Sequence, residues 1–194
     1  MIKQTISEAT RDIAEATHCQ AGATVAVSGA FAAALAQATA NVTLMLGAAP
    51  EAEAASHQMQ TTMTAARARL LEIADEDAHA IGEFVRLREE GQPLQGYKLL
   101  CDGPQEIARL AIEAARVMQS YRPHVCERTR DDLEFALTLI ISTAQTAMQL
   151  LDSNLRIWPL PELIAQYDGA ITLLIADLAR LTPLSTHLIR DRIA

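Results

Sequence analysis

The sequence predicts an all-α fold, in which a single domain over residues 1–194 forms an antiparallel bundle of about six helices. Apolar residues recur every three or four positions through nearly the whole chain, which is the periodicity of helices. No long run alternates apolar and polar residues between turn signals, as strands do. Half of the residues are hydrophobic but only 4% are aromatic, so the core is expected to depend on the close approach of Ala-rich helices.

The first half of the chain predicts three helices. A short helix lies near Ser7 to Thr17, and an Ala-rich helix runs from about Gly22 to Leu46. A third helix runs from Pro50 to about Glu90, because proline suits the first helical position. Asp77 falls on an apolar stripe of this helix. The stripe has the alternating steps of four and three residues that mark a heptad seam, and it consists of Met59, Met63, Ala66, Leu70, Ile73, Asp77, Ala80 and Phe84.

Prolines divide the second half of the chain. The stretch GQPLQGYKLLCDGP, from Gly91 to Pro104, is predicted to be a loop because proline and glycine recur within it. A fourth helix is expected to begin at Pro104 and to end near Ser120, before a break at Pro123.

Two further helices complete the predicted bundle. Thr129 begins the pattern T-x-x-D, a helix start that resembles a capping box. The sixth helix runs from Glu162 to Leu181 and is followed by a tail after Pro183. Seven residues form one seam along the fifth helix, and they are Leu133, Leu137, Ile140, Ala144, Ala147, Leu151 and Asn154.

The Ala-rich helix is long enough to be confused with a membrane span. No charged residue lies between Ala21 and Pro50, and at about 1.5 Å per residue this stretch could cross a bilayer. Alanine contributes little to insertion, and several polar side chains would lie at bilayer depth. We therefore predict a buried central helix of a soluble protein that does not associate with a membrane.

Charge and cysteine content narrow the class of protein. The net charge is −8, and no Lys/Arg cluster follows the spacing of phosphates, so a nucleic-acid partner is not expected. Cys19, Cys101 and Cys126 lack CxxC spacing, which fits reduced thiols in a cytoplasmic protein. The N-terminus is charged throughout and does not resemble a signal peptide. The histidines form no metal-binding pattern, and no metal or permanently bound cofactor is predicted.

Four polar residues lie where chemistry is possible but not required. Burying Asp77 ionised is costly, so it is either a catalytic carboxyl group with a raised pKa, half of a structural pair, or a solvent-facing residue. Asp132 lies at a helix start, where carboxylates also favour the helix dipole. Asn41 and Asn154 lie on apolar rows and need partners if they are buried. They are either structural or ligand contacts.

Four segments together resemble the cyclodeaminase/cyclohydrolase family, which includes the C-terminal domain of formiminotransferase-cyclodeaminase and stand-alone methenyltetrahydrofolate cyclohydrolases. The order and spacing of the segments are similar over nearly the whole chain. The segments are VSGAFAAALAQATANVT, LLEIADEDAHAI, GPQEIARLAIEAARVM and RDDLEFALTLIISTAQTAMQLLDSNLRI.

The resemblance implies an all-helical homodimer with a cleft for a small-molecule substrate, a tetrahydrofolate derivative. Enzymes of this kind hydrolyse methenyltetrahydrofolate, or expel ammonia from formiminotetrahydrofolate with ring closure. Both reactions require proton transfers at nitrogens bonded to a one-carbon unit. The resemblance assigns catalytic roles to Asp77 and Asp132, and substrate binding to the remaining matched residues, which are Gly22, Ser28, Asn41 and Asn154.

The chain departs from the family pattern at its folate-binding motifs. The family opens its Ala-rich helix with a glycine loop, of which only Gly22 survives here. The family's Lys-rich run is replaced by MLGAA, from Met45 to Ala49, which has no cation, and the Ser of its S-D pair is replaced by Asp131. Three interpretations follow: a folate enzyme with degraded motifs, an enzyme of the same fold that closes or isomerises a less anionic molecule, for example in a biosynthetic pathway, or a non-catalytic small-molecule-binding dimer.

Overall fold

The computed structural model describes residues 4–16, 19–157 and 159–181, and in these ranges it contains helices and no strand. The predicted all-α fold is therefore confirmed, whereas the predicted tail after Pro183 lies outside the described residues. A 3-10 turn at Glu127–Thr129 precedes the fifth helix. The helices are α1 (Ile6–Glu15), α2 (Ala21–Met45), α3 (Pro50–Glu89), α4 (Pro93–Tyr121), α5 (Arg130–Ile157) and α6 (Pro161–Ala179).

Helix α2 packs most extensively against α3 and α5. Its small residues allow this close approach: a Cβ at Gly29 would lie 2.9 Å from the Thr143 methyl group and 3.1 Å from Leu70. Among the described helices, α2 alone has the length and composition of a membrane span, and half of its most apolar window is buried in the bundle. The predicted burial of this helix is therefore observed for half of that window, whereas Phe31 is 51% exposed.

Helix α5 runs antiparallel to α2. Near the middle of both helices, Gly29 lies against Thr143. Near their other ends, the backbone N–H of Cys126, just before α5, donates to the hydroxyl of Thr43 at 3.1 Å. The start of α2 therefore lies beside the end of α5, and the end of α2 lies beside the start of α5.

The predicted loop from Gly91 to Pro104 is wrong, because α4 already begins at Pro93 and passes through Pro104. Proline has no N–H, so Pro104 cannot donate to the carbonyl of Leu100 four residues earlier. The side chain of Asn154 on α5 replaces that donor, with its Nδ2 2.7 Å from the Leu100 oxygen. A contact from another helix thus supports the interrupted backbone ladder, and local proline and glycine content could not reveal it.

The Asn154 hydrogen bond predicts a specific energetic coupling. Asn154→Ala should destabilise the fold by about 1–3 kcal/mol, because the Leu100 carbonyl loses its donor. In a Pro104→Ala background the new backbone N–H supplies that donor, so the same substitution should cost less. Urea unfolding of the wild type, both single variants and the double variant measures the coupling. Strictly additive effects would contradict this account.

Candidate functional site

A cavity of about 680 Å³ opens at the end of the bundle where α2 begins and α5 ends. This volume is within the range of small-molecule sites. Helix α1 contributes Asp12 and Glu15 to its lining, and the start of α2 contributes Gly22. Asp77 reaches it from α3, and Asn154 reaches it from α5. Four helices therefore bring together polar groups that are distant in the sequence.

Asp77 caps the N-terminus of α2 from another helix. The backbone N–H of Ala23 donates to Asp77 Oδ2 at 2.7 Å. Gln20, the residue that precedes the helix, makes no capping hydrogen bond with its side chain. The carboxylate thus satisfies one of the N–H groups that a helix start leaves without an intrahelical partner, and it lies at the positive end of the helix dipole.

Two opposing effects determine the pKa of Asp77. Burial disfavours the charged form and raises the pKa, whereas the Ala23 hydrogen bond lowers it; burial is the larger effect, so the pKa is raised. No ion pair among the described residues involves Asp77, so the structural pair that its seam position allowed is not formed there. A carboxyl group whose pKa is raised holds its proton more tightly than an exposed aspartate does, and beside a cavity it can exchange that proton with a bound molecule.

The absence of a side chain at Gly22 leaves the space that the Asp77 carboxylate occupies. A Cβ at position 22 would lie 2.6 Å from Asp77 Cγ and 2.9 Å from Oδ2, closer than nonbonded atoms approach. The one glycine that survives from the family's loop is therefore the one whose missing side chain admits the carboxylate. A residue with a side chain at position 22 would force Asp77 to move.

The cavity lining is acidic. Asp12, Glu15 and Asp77 are its charged residues, and the described lining contains no Lys or Arg. The Nε atom of Arg11 lies 3.8 Å from Asp12 Oδ1, but Arg11 does not line the cavity. Sequence reasoning missed Asp12 and Glu15. Their spacing of three residues places them on one side of α1, but nothing in the sequence shows that this side meets the cavity.

The structure brings together three of the six predicted site residues. Gly22, Asp77 and Asn154 line the cavity, and the Nδ2 atom of Asn154 also donates to the Leu100 carbonyl. The structure does not place the other three in this cavity. Ser28 is exposed on α2 and donates to the carbonyl of Thr24.

Asn41 and Asp132 lie at the opposite end of the bundle. Asn41 is exposed and accepts a hydrogen bond from Gln60 Nε2 at 2.6 Å. At about 1.5 Å per residue, it lies about 28 Å along α2 from Gly22. Asp132 is in the first turn of α5, about 33 Å along that helix from Asn154. Within one chain these two residues cannot contact a ligand bound beside Asp77.

Comparison with known proteins identifies relatives of the chain. A sequence model of the formiminotransferase-cyclodeaminase family matches residues 5–167. No curated protein sequence matches the chain. The crystal structure of formiminotetrahydrofolate cyclodeaminase from Thermotoga maritima at 2.80 Å resolution is similar, with a TM-score of 0.83 and 20% sequence identity. The match covers 92% of this chain and 91% of that one, and at this identity it demonstrates a shared fold.

Titration of Asp77 should be visible in the pH dependence of stability. Because its pKa is raised, the folded chain retains this proton at pH values where the unfolded chain has released it. Its contribution to stability therefore falls as the pH rises from the ordinary pKa of 3.8 through the raised value. Over that interval the Tm of Asp77→Asn should increase relative to the wild type, measured by scanning calorimetry. Parallel Tm curves for the two proteins would refute the raised pKa.

Gly22→Ala should displace the Asp77 carboxylate and weaken the cap on α2. We expect a loss of about 1–3 kcal/mol in the free energy of unfolding, the usual cost of overpacking. Gly169→Ala is the control, because a Cβ at this helical glycine of α6 meets nothing within 4 Å. That control should be neutral or stabilise by up to about 1 kcal/mol. Equal effects of the two substitutions in urea unfolding would show that the close approach at Gly22 is unimportant.

Proposed function

Because the chain belongs to the formiminotransferase-cyclodeaminase family, whose sequence model matches residues 5–167, we propose that it is a cytoplasmic folate one-carbon enzyme. The proposed reaction hydrolyses methenyltetrahydrofolate or closes formiminotetrahydrofolate with loss of ammonia. One observation carries the proposal: the Asp77 carboxylate lies in a cavity large enough for a small molecule, with a pKa raised by burial. The folate is a substrate, and no permanently bound cofactor is required.

Asp77 has the properties that the proton transfers need. In cyclodeamination, the closing nitrogen forms a bond to the one-carbon unit and loses a proton, and the departing nitrogen gains a proton as its bond breaks. In hydrolysis, water attacks the same carbon and loses a proton, and one of the two bonds from that carbon to nitrogen breaks as its nitrogen takes up a proton. A carboxyl group that titrates closer to neutral pH can take up and return these protons, a contribution typically of about 10²–10⁴-fold in rate.

Gly22 and Asn154 support the reaction by position. Gly22 leaves room for the Asp77 carboxylate at the helix start, and the backbone there can approach a ligand closely. Asn154 lines the same cavity, and its amide oxygen is an acceptor that can bind an N–H group of a substrate. Both residues are therefore proposed as substrate-binding positions.

The acidic lining favours a second candidate, an enzyme of the same fold for a less anionic molecule. Folates carry carboxylates, which are repelled by Asp12 and Glu15 and find no Lys or Arg in the described lining. A neutral or cationic substrate would avoid this repulsion. The volume of the cavity and the presence of Asp77 in its lining suit proton transfer in either case, so the charge of the substrate is the property that distinguishes the two candidates.

Asp77→Asn tests the proposed function. The wild type should consume methenyltetrahydrofolate, measured as loss of its near-ultraviolet absorbance, at a rate below that of a dedicated cyclohydrolase because the folate-binding motifs are degraded. Asp77→Asn should lower kcat by about 10²–10⁴-fold, whereas Asp168→Asn, an exposed residue on α6, should not change it. Full activity of Asp77→Asn would exclude the catalytic role.

Neutralising the α1 carboxylates distinguishes the candidates in the same assay. If folate is the substrate, Asp12→Asn combined with Glu15→Gln should lower KM by removing the repulsion. No turnover of methenyltetrahydrofolate by the wild type, no appearance of its absorbance from formiminotetrahydrofolate, and no gain in this double variant would exclude the folate and favour the less anionic substrate.

A further inference from the structure

Among the described helices, α1 is the one with the weakest attachment to the bundle. None of its residues is buried, although Ala9, Asp12 and Ile13 are half-buried and therefore face the other helices. Its polar contacts within the described residues are local, as in the capping box of Thr5 and Glu8, and none of them joins α1 to another helix. An element with so few buried contacts separates from its fold at a much lower free energy than the core does.

Separation of α1 would open the cavity without dismantling it. Asp12, Glu15 and Ala16 line the cavity from the α1 side. The backbone of Ala16 is extended, with φ −63° and ψ 140°, so α1 is not a continuation of α2. The start of α2 keeps its own cap, which Asp77 supplies from α3. Because α1 has only 10 residues, it is marginally stable alone in water, and undocking therefore also unfolds it.

The charges on α1 oppose its docking when no cation is near. Docking brings the carboxylates of Asp12 and Glu15 to a cavity that already contains Asp77 and whose described lining has no Lys or Arg. Glu15 also lies in the last turn of α1, which has no basic residue. A carboxylate is unfavourable at this negative end of the helix dipole. A cation in the cavity would offset both effects.

The rest of the cavity lining includes an apolar wall, formed by Ile81 and Val85 of α3, Leu100 of α4 and Leu150 of α5. Apolar side chains around a few placed polar groups are typical of sites for small organic molecules. An inorganic ion would leave this wall unused. The combination of carboxylates on α1 and an apolar wall on the other helices instead suits a molecule that carries a positive charge on an apolar body.

We propose that α1 is a lid that closes over an organic cation, with Asp12 and Glu15 at the charged group and the apolar wall at the rest of the molecule. Closure then excludes water from the surroundings of Asp77, as lids do in many enzymes. The inference rests on the second candidate function above, an enzyme for a less anionic molecule, and names the chemical class of its substrate. Asp12 and Glu15 are its specificity-determining residues.

The weak attachment of α1 is tested by hydrogen exchange of the full chain, followed by mass spectrometry. Amides of α1 should exchange at least about 100-fold faster than those of the buried part of α2, because α1 opens locally whereas the core of α2 opens only with the bundle. Exchange of α1 as slow as that of α2 would overturn the lid.

The charge of the ligand is tested with three probes of similar shape. Benzylamine is a cation at neutral pH, benzyl alcohol is neutral and benzoate is an anion. At ten times its Kd, benzylamine should slow the exchange of α1 about tenfold, because it binds the docked state. Benzyl alcohol and benzoate at the same concentration should leave this exchange unchanged. No effect of benzylamine, or an equal effect of benzyl alcohol or benzoate, would overturn the proposed cation.

The role of the α1 carboxylates is tested by Asp12→Asn combined with Glu15→Gln. This variant should keep the helical circular dichroism of the wild type but lose the effect of benzylamine on α1 exchange. Asp168→Asn, which removes an exposed carboxylate on α6, is the control and should keep the effect. A full effect in the double variant, or its loss in Asp168→Asn, would overturn the assignment to Asp12 and Glu15.

These measurements do not depend on turnover, so the failure of this inference differs from the failure of the proposed function. Folate turnover without any effect of benzylamine would overturn the cationic ligand and leave the folate enzyme in place. The benzylamine effect without folate turnover would support the lid and its cation and exclude the folate.

Discussion

The hydrogen bond from the Ala23 N–H to the Asp77 carboxylate is the contact on which the site depends. It joins the start of α2 to α3 through two residues that are 54 positions apart in sequence. Gly22 makes the approach possible, because any larger residue would occupy the space of the carboxylate. The same contact fixes the edge of the cavity, since both Gly22 and Asp77 line it. This one contact therefore determines where α2 begins, where the Asp77 carboxylate lies and where one edge of the cavity runs.

Capping and proton transfer make opposite demands on Asp77. A helix N-terminus is best capped by an ionised carboxylate, which the Ala23 hydrogen bond favours. Burial favours the neutral acid, and it has the larger effect on the pKa. The pKa of the carboxyl group is therefore higher than that of an exposed aspartate. A residue that only capped the helix could lie in solvent, where ionisation is less costly. Burial is the property of Asp77 on which the proton transfer proposed above depends.

The opposite wall of the cavity has its own support. Leu100 lines the cavity and carries the carbonyl that Pro104 leaves without a backbone donor. Asn154 binds that carbonyl and lines the same cavity. Tyr167 of α6 adds a second link to this part of α4, donating to the carbonyl of Lys98 and to Asp102 Oδ1. The cavity wall is therefore held by side chains from two other helices, although its own backbone ladder is interrupted.

The sequence by itself determined the fold class, the number of long helices and the position of Asp77 on an apolar stripe. These follow from local periodicity, and so does the close packing of α2, whose small residues allow other helices to approach it. The family resemblance depended on the order and spacing of four segments, and these can be recognised in one sequence without a structure. Asp77 was identified because a carboxylate on a heptad seam conflicts with the residues around it.

Only the tertiary structure decided the helical state of residues 93–104, the acidic lining and the grouping of the site residues. Proline and glycine predict a loop locally, but the Asn154 side chain that supports the helix is 54 residues from Leu100. Asp12 and Glu15 line the cavity only because the fold brings α1 to its edge. Gly22 and Asn41 lie 19 residues apart on one continuous helix, α2, and are therefore about 28 Å apart. The family resemblance had assigned both to one substrate site. Contacts between distant segments depend on packing, which periodicity does not encode.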